Sequence, residues 1–370
     1  MMKKLIIATL LLAFGLLLSW LLYFQPRGYD LASIRDRIVS VVSGRGGKSV
    51  RSQSMPPSQY QQRQQQQQWQ NQQQGQQQNQ QPGQAGEAPQ ATEITTSGVL
   101  EGLDESGVNS VWVTYSLDGE LRTSEVFVTI PSGFNDSEDS YPLFFAFHGT
   151  SKVGGGAARS TAKSHNSENF ITIAPIGGTS EDGTVSSWSA NLTGEDDVLF
   201  MQTLWDAIKD DSRIDHDRVY AWGSSVGSSF VSNRLVVEAD YLRGVMCCSS
   251  TAHEGLDISG APVPTNIINV HGENDPMIPI DGGPTSFEPH DVQMAEEDAV
   301  AMWADHNGCS SDPVTTETDD YTEISYSCDN GAVVKLYRLN DTGHNSEMQL
   351  SEITGMTTGR FMLQEFANAA

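Results

Sequence analysis

The segment RVYAWGSSVGSSF, residues 218–230, decides the fold. A short apolar run ends at Gly223, and Ser225 then stands between Gly223 and Gly227 before a stretch of helical character. This spacing between a strand and a helix is typical of a serine held in a strained backbone conformation, because a Cβ atom at either flanking glycine would collide with the turn. A tight turn that simply requires small residues is the alternative interpretation of the same pattern.

The chain on both sides of this segment alternates between strand-like and helix-like stretches. Short apolar runs predict buried parallel strands: PLFFAFHG (142–149), FITIAP (170–175), RVYAWG (218–223), LRGVMCC (242–248), TNIINVHG (265–272) and VVKLYRL (333–339). Helical patterns cover residues 196–211, 225–240, 291–308 and 359–369, and residues 111–130 predict a hairpin turning at Asp118-Gly119. The alternation predicts an α/β fold with a mostly parallel central sheet flanked by helices, whose ligands bind at the carboxyl ends of the strands.

Two further polar residues follow predicted strands and are suited to activate the serine. Asp275 comes shortly after TNIINVHG, and His344 comes shortly after VVKLYRL. A hydroxyl is a weak nucleophile without a neighbouring base, and an imidazole base needs an acid that orients it. The order serine, aspartate, histidine, each at a strand exit, is that of the α/β-hydrolase arrangement. We therefore predict an α/β-hydrolase fold with Ser225, Asp275 and His344 as a catalytic triad.

Other residues compete for the roles of acid and base. Glu273 and Asp281 are the nearest rivals for the acid, while His148 and His271 precede glycines at other strand ends. Only His344 lies after the acid and late enough in the sheet for the expected order.

Attack on a carbonyl group produces an oxyanion, which needs N–H donors already in place. The predicted donors are the backbone amides of Val226, directly after the serine, and of Thr150, in the loop after PLFFAFHG. Ser151 replaces Thr150 if that loop is shifted by one residue.

The N-terminal part of the chain differs sharply in composition from the rest. Residues 5–24 contain no charge and are long enough to span a bilayer as a helix, and no small-residue cleavage pattern follows them. Residues 1–28 are therefore predicted to be a membrane anchor, with a cleaved signal sequence as the alternative. Residues 29–92 are predicted to be a juxtamembrane segment and a disordered Gln-rich linker, and residues 93–370 a single catalytic domain on the extracytoplasmic side.

Charge is divided between these parts and limits the possible partners. Residues 1–92 carry nine basic and three acidic residues, whereas residues 93–370 carry 12 basic and 44 acidic residues. So negative a surface repels phosphate backbones, which argues against nucleic acid as a partner. No calcium-loop spacing of acidic residues or zinc spacing of cysteines is present, so neither a metal nor an organic cofactor is expected.

The chain has four cysteines, at positions 247, 248, 309 and 328. Cys309 and Cys328 enclose a segment with turn-forming residues, so a local disulfide in an oxidising compartment is one interpretation. The alternative is that all four are reduced and buried. The adjacent Cys247 and Cys248 fall on a predicted strand, and at least one should lie in the core.

Several segments together resemble one branch of the α/β-hydrolases, the secreted polyhydroxybutyrate depolymerases and feruloyl esterases. They are FAFHGT (145–150), DHDRVYAWGSSVG (215–227), INVHGENDPMIPIDGG (268–283), WADHNGC (303–309) and NDTGHN (340–345). The resemblance covers about residues 95–370. It implies the triad named above and pairs Cys309 with the cysteine near residue 328. It also places Trp188 beside the active site as a substrate-stacking wall, with Asp197 of the Asp196-Asp197 pair as structural support.

The sequence therefore predicts a serine carboxylic-ester hydrolase that acts through an acyl-enzyme. Its expected substrates are feruloyl or acetyl esters of plant polysaccharide, or a polyhydroxyalkanoate-type polyester, outside the cell membrane. A serine peptidase of the same fold and a non-catalytic, surface-tethered binding protein are the alternatives. A binding protein would be expected to have lost at least one member of the triad, and all three residues are present.

Overall fold

A computed structural model of the chain describes residues 98–117, 120–179, 185–189, 196–286 and 292–367. The predicted membrane anchor, the predicted Gln-rich linker and the Asp118-Gly119 turn lie outside these residues. Across the described ranges, no helix combines the length and the apolar character that a bilayer crossing requires.

The secondary structure follows the predicted alternation. The described strands are β1 (Asn109–Leu117), β2 (Glu120–Thr129), β3 (Tyr141–Phe147), β4 (Ser151–Lys152), β5 (Ile171–Pro175), β6 (Gly178–Thr179), β7 (Val185–Ser187), β8 (Ile214–Ser224), β9 (Gly244–Cys248), β10 (Ile267–Gly272), β11 (Gly283–Pro284), β12 (Val292–Gln293), β13 (Val314–Glu317), β14 (Tyr321–Tyr326) and β15 (Val334–Leu339). The described helices are α1 (Gly156–Ser164), α2 (Asp196–Ile208), α3 (Val226–Phe230, continued by a π-helical turn Val231–Leu235 and by Val236–Glu238), α4 (Glu296–His306), α5 (Ser346–Thr354) and α6 (Thr358–Phe366).

A ten-stranded sheet organises these elements, in the order β1-β2-β5-β3-β8-β9-β10-β15-β14-β13. The strands from β5 to β15 in this order run parallel to one another. The hairpin β1-β2 joins one side antiparallel, and β14 and β13 extend the other side antiparallel. The predicted mostly parallel sheet and the predicted hairpin are both confirmed.

Hydrophobic side chains cover both faces of the sheet, which explains why its central strands are apolar throughout. Phe145 of β3 packs in the core shared with α2, α3 and α4, whereas its neighbour Phe144 packs on the opposite side with α1, α5 and α6. Cys247 and Cys248 of β9 divide between the two faces in the same way, and both are buried free thiols. The prediction of core cysteines is confirmed.

Three details differ from the sequence predictions or settle their alternatives. The helix predicted over 291–308 begins only at Glu296, because Val292–Gln293 pairs with Gly283–Pro284. The strand β13 is fully exposed and contains no apolar run, so the sequence pattern does not predict it. Cys309 and Cys328 form a disulfide, as the resemblance implied.

Candidate active site

The turn between β8 and α3 holds Ser225 in an unusual backbone conformation. Its φ of 55° and ψ of −123° lie in a region that residues with a Cβ rarely adopt, at a cost of about 1–3 kcal/mol. A Cβ at Gly223 would lie 2.2 Å from Gly227 O, and a Cβ at Gly227 would lie 2.3 Å from Phe147 O. Both flanking glycines are therefore required by close backbone packing, for the reason that the sequence pattern predicted.

The structure brings the three predicted triad side chains into one hydrogen-bonded row. His344 Nε2 lies 2.8 Å from Ser225 Oγ, and His344 Nδ1 lies 2.7 Å from Asp275 Oδ2. The loop after β10 and the loop after β15 can approach because Gly272 has no side chain: a Cβ there would lie 2.2 Å from Gly343 O. A serine hydroxyl, an imidazole and a carboxylate in this order can pass a proton away from the hydroxyl as it attacks.

Asp275 is buried and surrounded by hydrogen-bond donors. Its Oδ1 accepts from the backbone amides of Met277 at 2.8 Å and Ile278 at 3.1 Å. Burial acts to raise the pKa of Asp275, but hydrogen bonds from His271, His344 and the two amides outweigh it, so the pKa lies well below its usual range. Asp275 is consequently a carboxylate at neutral pH.

Three of the four rival residues, Glu273, Asp281 and His148, lie outside the hydrogen-bonded row of Ser225, His344 and Asp275. Glu273 and Asp281 are exposed, and Glu273 lies 3.8 Å from the guanidinium of Arg338. His148 is buried, and its Nε2 accepts from the amide of Gly177 at 3.1 Å. Burial lowers the pKa of His148, which favours its neutral form. Asp275 is thus the acid that holds His344.

The two predicted oxyanion donors lie on the two chain segments that meet at Ser225. A Cβ at Gly149 would lie 3.1 Å from Ser225 Cβ, so the loop after β3 packs tightly against the serine. Thr150 follows in this loop and is exposed, whereas Ser151 already belongs to β4. Val226 is the first residue of α3 on the other side. The donor roles of the Thr150 and Val226 amides remain predictions.

The prediction that Trp188 forms a substrate-stacking wall requires a correction, because the residue is buried and only 4% exposed. The indole stacks on Phe230, and its N–H donates to His148 O at 2.8 Å. Trp188 thereby supports the end of β3, directly before the loop that carries Thr150. Asp197 Oδ2 accepts from both the amide and the hydroxyl of Ser189 at 2.6 Å, which fits its predicted supporting role.

Two residues beside the triad have contacts that the sequence reasoning missed. His271 Nδ1 lies 2.5 Å from Glu296 Oε1, and His271 Nε2 lies 3.2 Å from Asp275 Oδ2. The sequence shows a histidine, His271, at the end of a mostly apolar strand, which is a sign of a buried polar contact. No pattern in the sequence identifies Glu296 as its partner. Among the residues that the structure describes, no group of three or more His, Cys, Asp or Glu side chains is arranged to hold a metal ion.

Comparison with known proteins gives a consistent set of relatives. Residues of this chain are 27% identical over 202 residues to a probable feruloyl esterase C of Aspergillus terreus, covering 52% of this chain and 64% of that protein. The feruloyl esterase C of Emericella nidulans is 27% identical over 210 residues, covering 52% of this chain and 73% of that protein. A bifunctional acetylxylan esterase/xylanase of Neocallimastix patriciarum is 27% identical over 187 residues, covering 49% of this chain and 25% of that protein.

The match thus spans less than two thirds of the Aspergillus terreus protein. No protein-family model matches the chain. The acetyl xylan esterase structure from Aspergillus awamori aligns with a TM-score of 0.45 at 13% identity, over 67% of this chain and 94% of that one, which is too weak a likeness to support an inference. The sequence relatives confirm the resemblance to α/β-hydrolase esterases of the feruloyl esterase type.

Proposed function

We propose that this protein is a serine carboxylic-ester hydrolase that acts on feruloyl or acetyl esters of plant polysaccharide. The single observation that carries the proposal is the position of His344, within hydrogen-bond distance of both Ser225 Oγ and Asp275 Oδ2. The substrate class is proposed from the names of the relatives, which are feruloyl esterases and an acetylxylan esterase.

The reaction proceeds in two steps through the same imidazole. Ser225 Oγ attacks the ester carbonyl carbon while its proton moves to His344 Nε2, and the carbonyl oxygen accepts hydrogen bonds from the amides of Thr150 and Val226. His344 then protonates the departing alkoxide, leaving the acyl group bonded to Ser225. A water molecule, deprotonated by His344, attacks the carbonyl carbon of this acyl-enzyme. The bond to Ser225 Oγ then breaks, His344 returns the proton to Oγ, and the carboxylic acid leaves.

Asp275 has an electrostatic and an orienting role in both steps. It accepts the Nδ1–H of His344, which keeps Nε2 free to take the serine proton. Because its pKa is held well below the usual range, it remains charged and stabilises the imidazolium that forms during each step.

The test is ester turnover by the purified full chain. Wild type should hydrolyse methyl ferulate or acetylated xylan, and Ser225→Ala should lose about 10³-fold or more of kcat. Ser224→Ala, one residue before the proposed nucleophile, is the matched control and should retain most of the activity. Equal turnover by wild type and Ser225→Ala would contradict the proposal.

The alternatives give different results in the same assays. A serine peptidase would cleave peptide amides at rates that rival those of aryl esters. A polyester depolymerase would prefer short 3-hydroxybutyrate oligomers to both polysaccharide esters. A tethered binding protein would retain polymer in a pull-down while turning over none of these esters.

We place this activity outside the cell membrane. The disulfide between Cys309 and Cys328 supports this, because such bridges persist mainly in oxidising compartments. The predicted anchor over residues 1–28 remains a prediction.

A further inference from the structure

A second histidine lies behind the proposed acid, inside the protein. His271, at the end of β10, is fully buried, and Glu296, the first residue of α4, is 1% exposed. The imidazole of His271 lies between the carboxylates of Glu296 and Asp275, with Nδ1 at 2.5 Å from the first and Nε2 at 3.2 Å from the second. Its Nε2 also lies 2.9 Å from the carbonyl oxygen of Ile278.

These contacts determine the protonation of His271. Both ring nitrogens face oxygen atoms that only accept hydrogen bonds: two carboxylates and one backbone carbonyl. A neutral imidazole has one N–H and would aim its second nitrogen, as a lone pair, at these acceptors. The imidazolium form donates from Nδ1 to Glu296 and from Nε2 to the carbonyl oxygen of Ile278, and its positive charge lies 3.2 Å from Asp275 Oδ2. Burial by itself lowers the pKa of His271, but hydrogen bonds and charges of Asp275 and Glu296 outweigh it and raise the pKa to about 10.

The remaining polar groups around the pair leave this charge pattern unchanged. Glu296 Oε2 accepts from the side-chain amide of Asn269 at 2.6 Å, which satisfies its second oxygen. Cys247 on the neighbouring strand β9 has a thiol whose pKa is raised by burial, so it is uncharged at neutral pH. Arg338, opposite His271 on β15, is directed to Glu297, 2.8 Å away.

We propose that His271 and Glu296 form a buried positioning pair that extends the triad. Together with Asp275, the pair determines the net charge of the groups next to His344. Asp275 and Glu296 each contribute a negative charge and His271 a positive one, so the group carries one net negative charge. If Glu296 were absent, His271 would cancel the charge of Asp275, and the imidazolium of His344 would lose its electrostatic support. This inference rests on the proposed function, because the role of His344 as base comes from it.

The pair also fixes the carboxylate itself. Asp275 Oδ2 is shared between His344 at 2.7 Å and His271 at 3.2 Å, while Oδ1 is held by two backbone amides. A carboxylate held from three directions cannot rotate away when His344 changes charge. His271 and Glu296 therefore act through Asp275 and do not touch the reacting atoms.

The test compares pH profiles of kcat/KM for methyl ferulate in wild type, Glu296→Gln and the double variant Glu296→Gln/His271→Gln. Glu296→Gln removes the net negative charge, so the acid-side midpoint of the profile should fall by about one pH unit and kcat by about tenfold. The double variant again carries one net negative charge, so its acid-side midpoint should return to the wild-type value. Glu297→Gln, one residue along α4 and exposed, removes a surface charge and should leave the midpoint in place.

Two outcomes would overturn the proposal. If His271 were neutral, Glu296→Gln would lower the midpoint and the double variant would stay at the lowered value. If the pair were not coupled to the base, Glu296→Gln would leave the midpoint unchanged although His271 still had two protonated ring nitrogens in that variant.

A measurement that does not depend on turnover separates this inference from the proposed function. In ¹⁵N-histidine-labelled wild type at about pH 8, where an ordinary histidine is neutral, one histidine should show two protonated ring nitrogens. That signal should disappear in His271→Gln. Its absence from wild type would refute the buried pair even in an active esterase, whereas its presence in a protein without ester turnover would refute the proposed function instead.

Discussion

The contact at Gly272 makes the alignment of the triad directly testable. In Gly272→Ala, the new Cβ would lie 2.2 Å from Gly343 O and 2.5 Å from Thr342 O, whereas nonbonded contacts of this kind are ordinarily roughly 3.4 Å or longer. The loop that carries His344 must therefore retreat by about 1 Å. The 2.8 Å hydrogen bond from His344 Nε2 to Ser225 Oγ would then exceed hydrogen-bond range. We expect kcat to fall by about 10²–10⁴-fold, the contribution of a positioned general base.

The assay is ester turnover measured beside a thermal melt. Overpacking at Gly272 should cost about 1–3 kcal/mol, which lowers the melting temperature by several degrees without unfolding the protein at room temperature. Gly343→Ala is the matched control, because its Cβ would meet only Pro276 Cδ at 4.0 Å. It should keep nearly wild-type kcat. Equal kcat in the two alanine variants, both folded, would refute the reasoning.

Further predictions address the scaffold around the site. Replacing Cys309 and Cys328 by serine should lower the melting temperature by several degrees while preserving turnover. Their disulfide closes a loop with a sequence separation of 19 residues, and closing such a loop contributes about 3 kcal/mol to the free energy of unfolding. An unchanged melting temperature would contradict this. Wild type should have a larger free energy of unfolding than His271→Gln; the full difference should be present below pH 6.5 and should decline as pH rises toward about 10. A group whose pKa is raised in the folded state stabilises the fold only while it holds its proton. Thermal melts across that range check it, and a constant difference would count against a charged His271. Trp188→Phe removes the N–H that holds His148 O and should lower kcat about tenfold with KM little changed, because the loop that carries Thr150, a predicted oxyanion donor, is then less well fixed. Steady-state kinetics measure this, and an unaltered kcat would show that the hydrogen bond is dispensable.

The sequence predicted the central sheet because its strands are buried on both faces. Every residue of β3 is buried, so the strand appears as an uninterrupted apolar run. The edge strand β13 is exposed along its length and offers no such signal. Residues Val292–Gln293 were predicted as helix because their pairing with Gly283–Pro284 depends on how the chain folds back, which local periodicity does not record.

The site could be predicted as far as it depends on strand ends. Ser225, Asp275 and His344 each follow a recognisable strand, so the topology of a parallel sheet gathers them at one edge. Whether a side chain is buried does not follow from its position near a strand end. The sequence therefore predicts that Trp188 faces substrate, whereas its ring packs against Phe230. The partnership of His271 with Glu296 joins a strand end to a distant helix start, and no local pattern in the sequence connects them.

In the proposed mechanism, Ser225 forms a covalent acyl intermediate with the help of His344. Denaturing mass spectrometry of the full chain, quenched during turnover of an aryl acetate and followed by peptide mapping, tests this most directly. We expect an acetyl group on the Ser225 hydroxyl in wild type and none on the corresponding peptide of Ser225→Ala. Ester turnover with no acetyl group on Ser225, or with equal acetylation at another residue in both proteins, would contradict it.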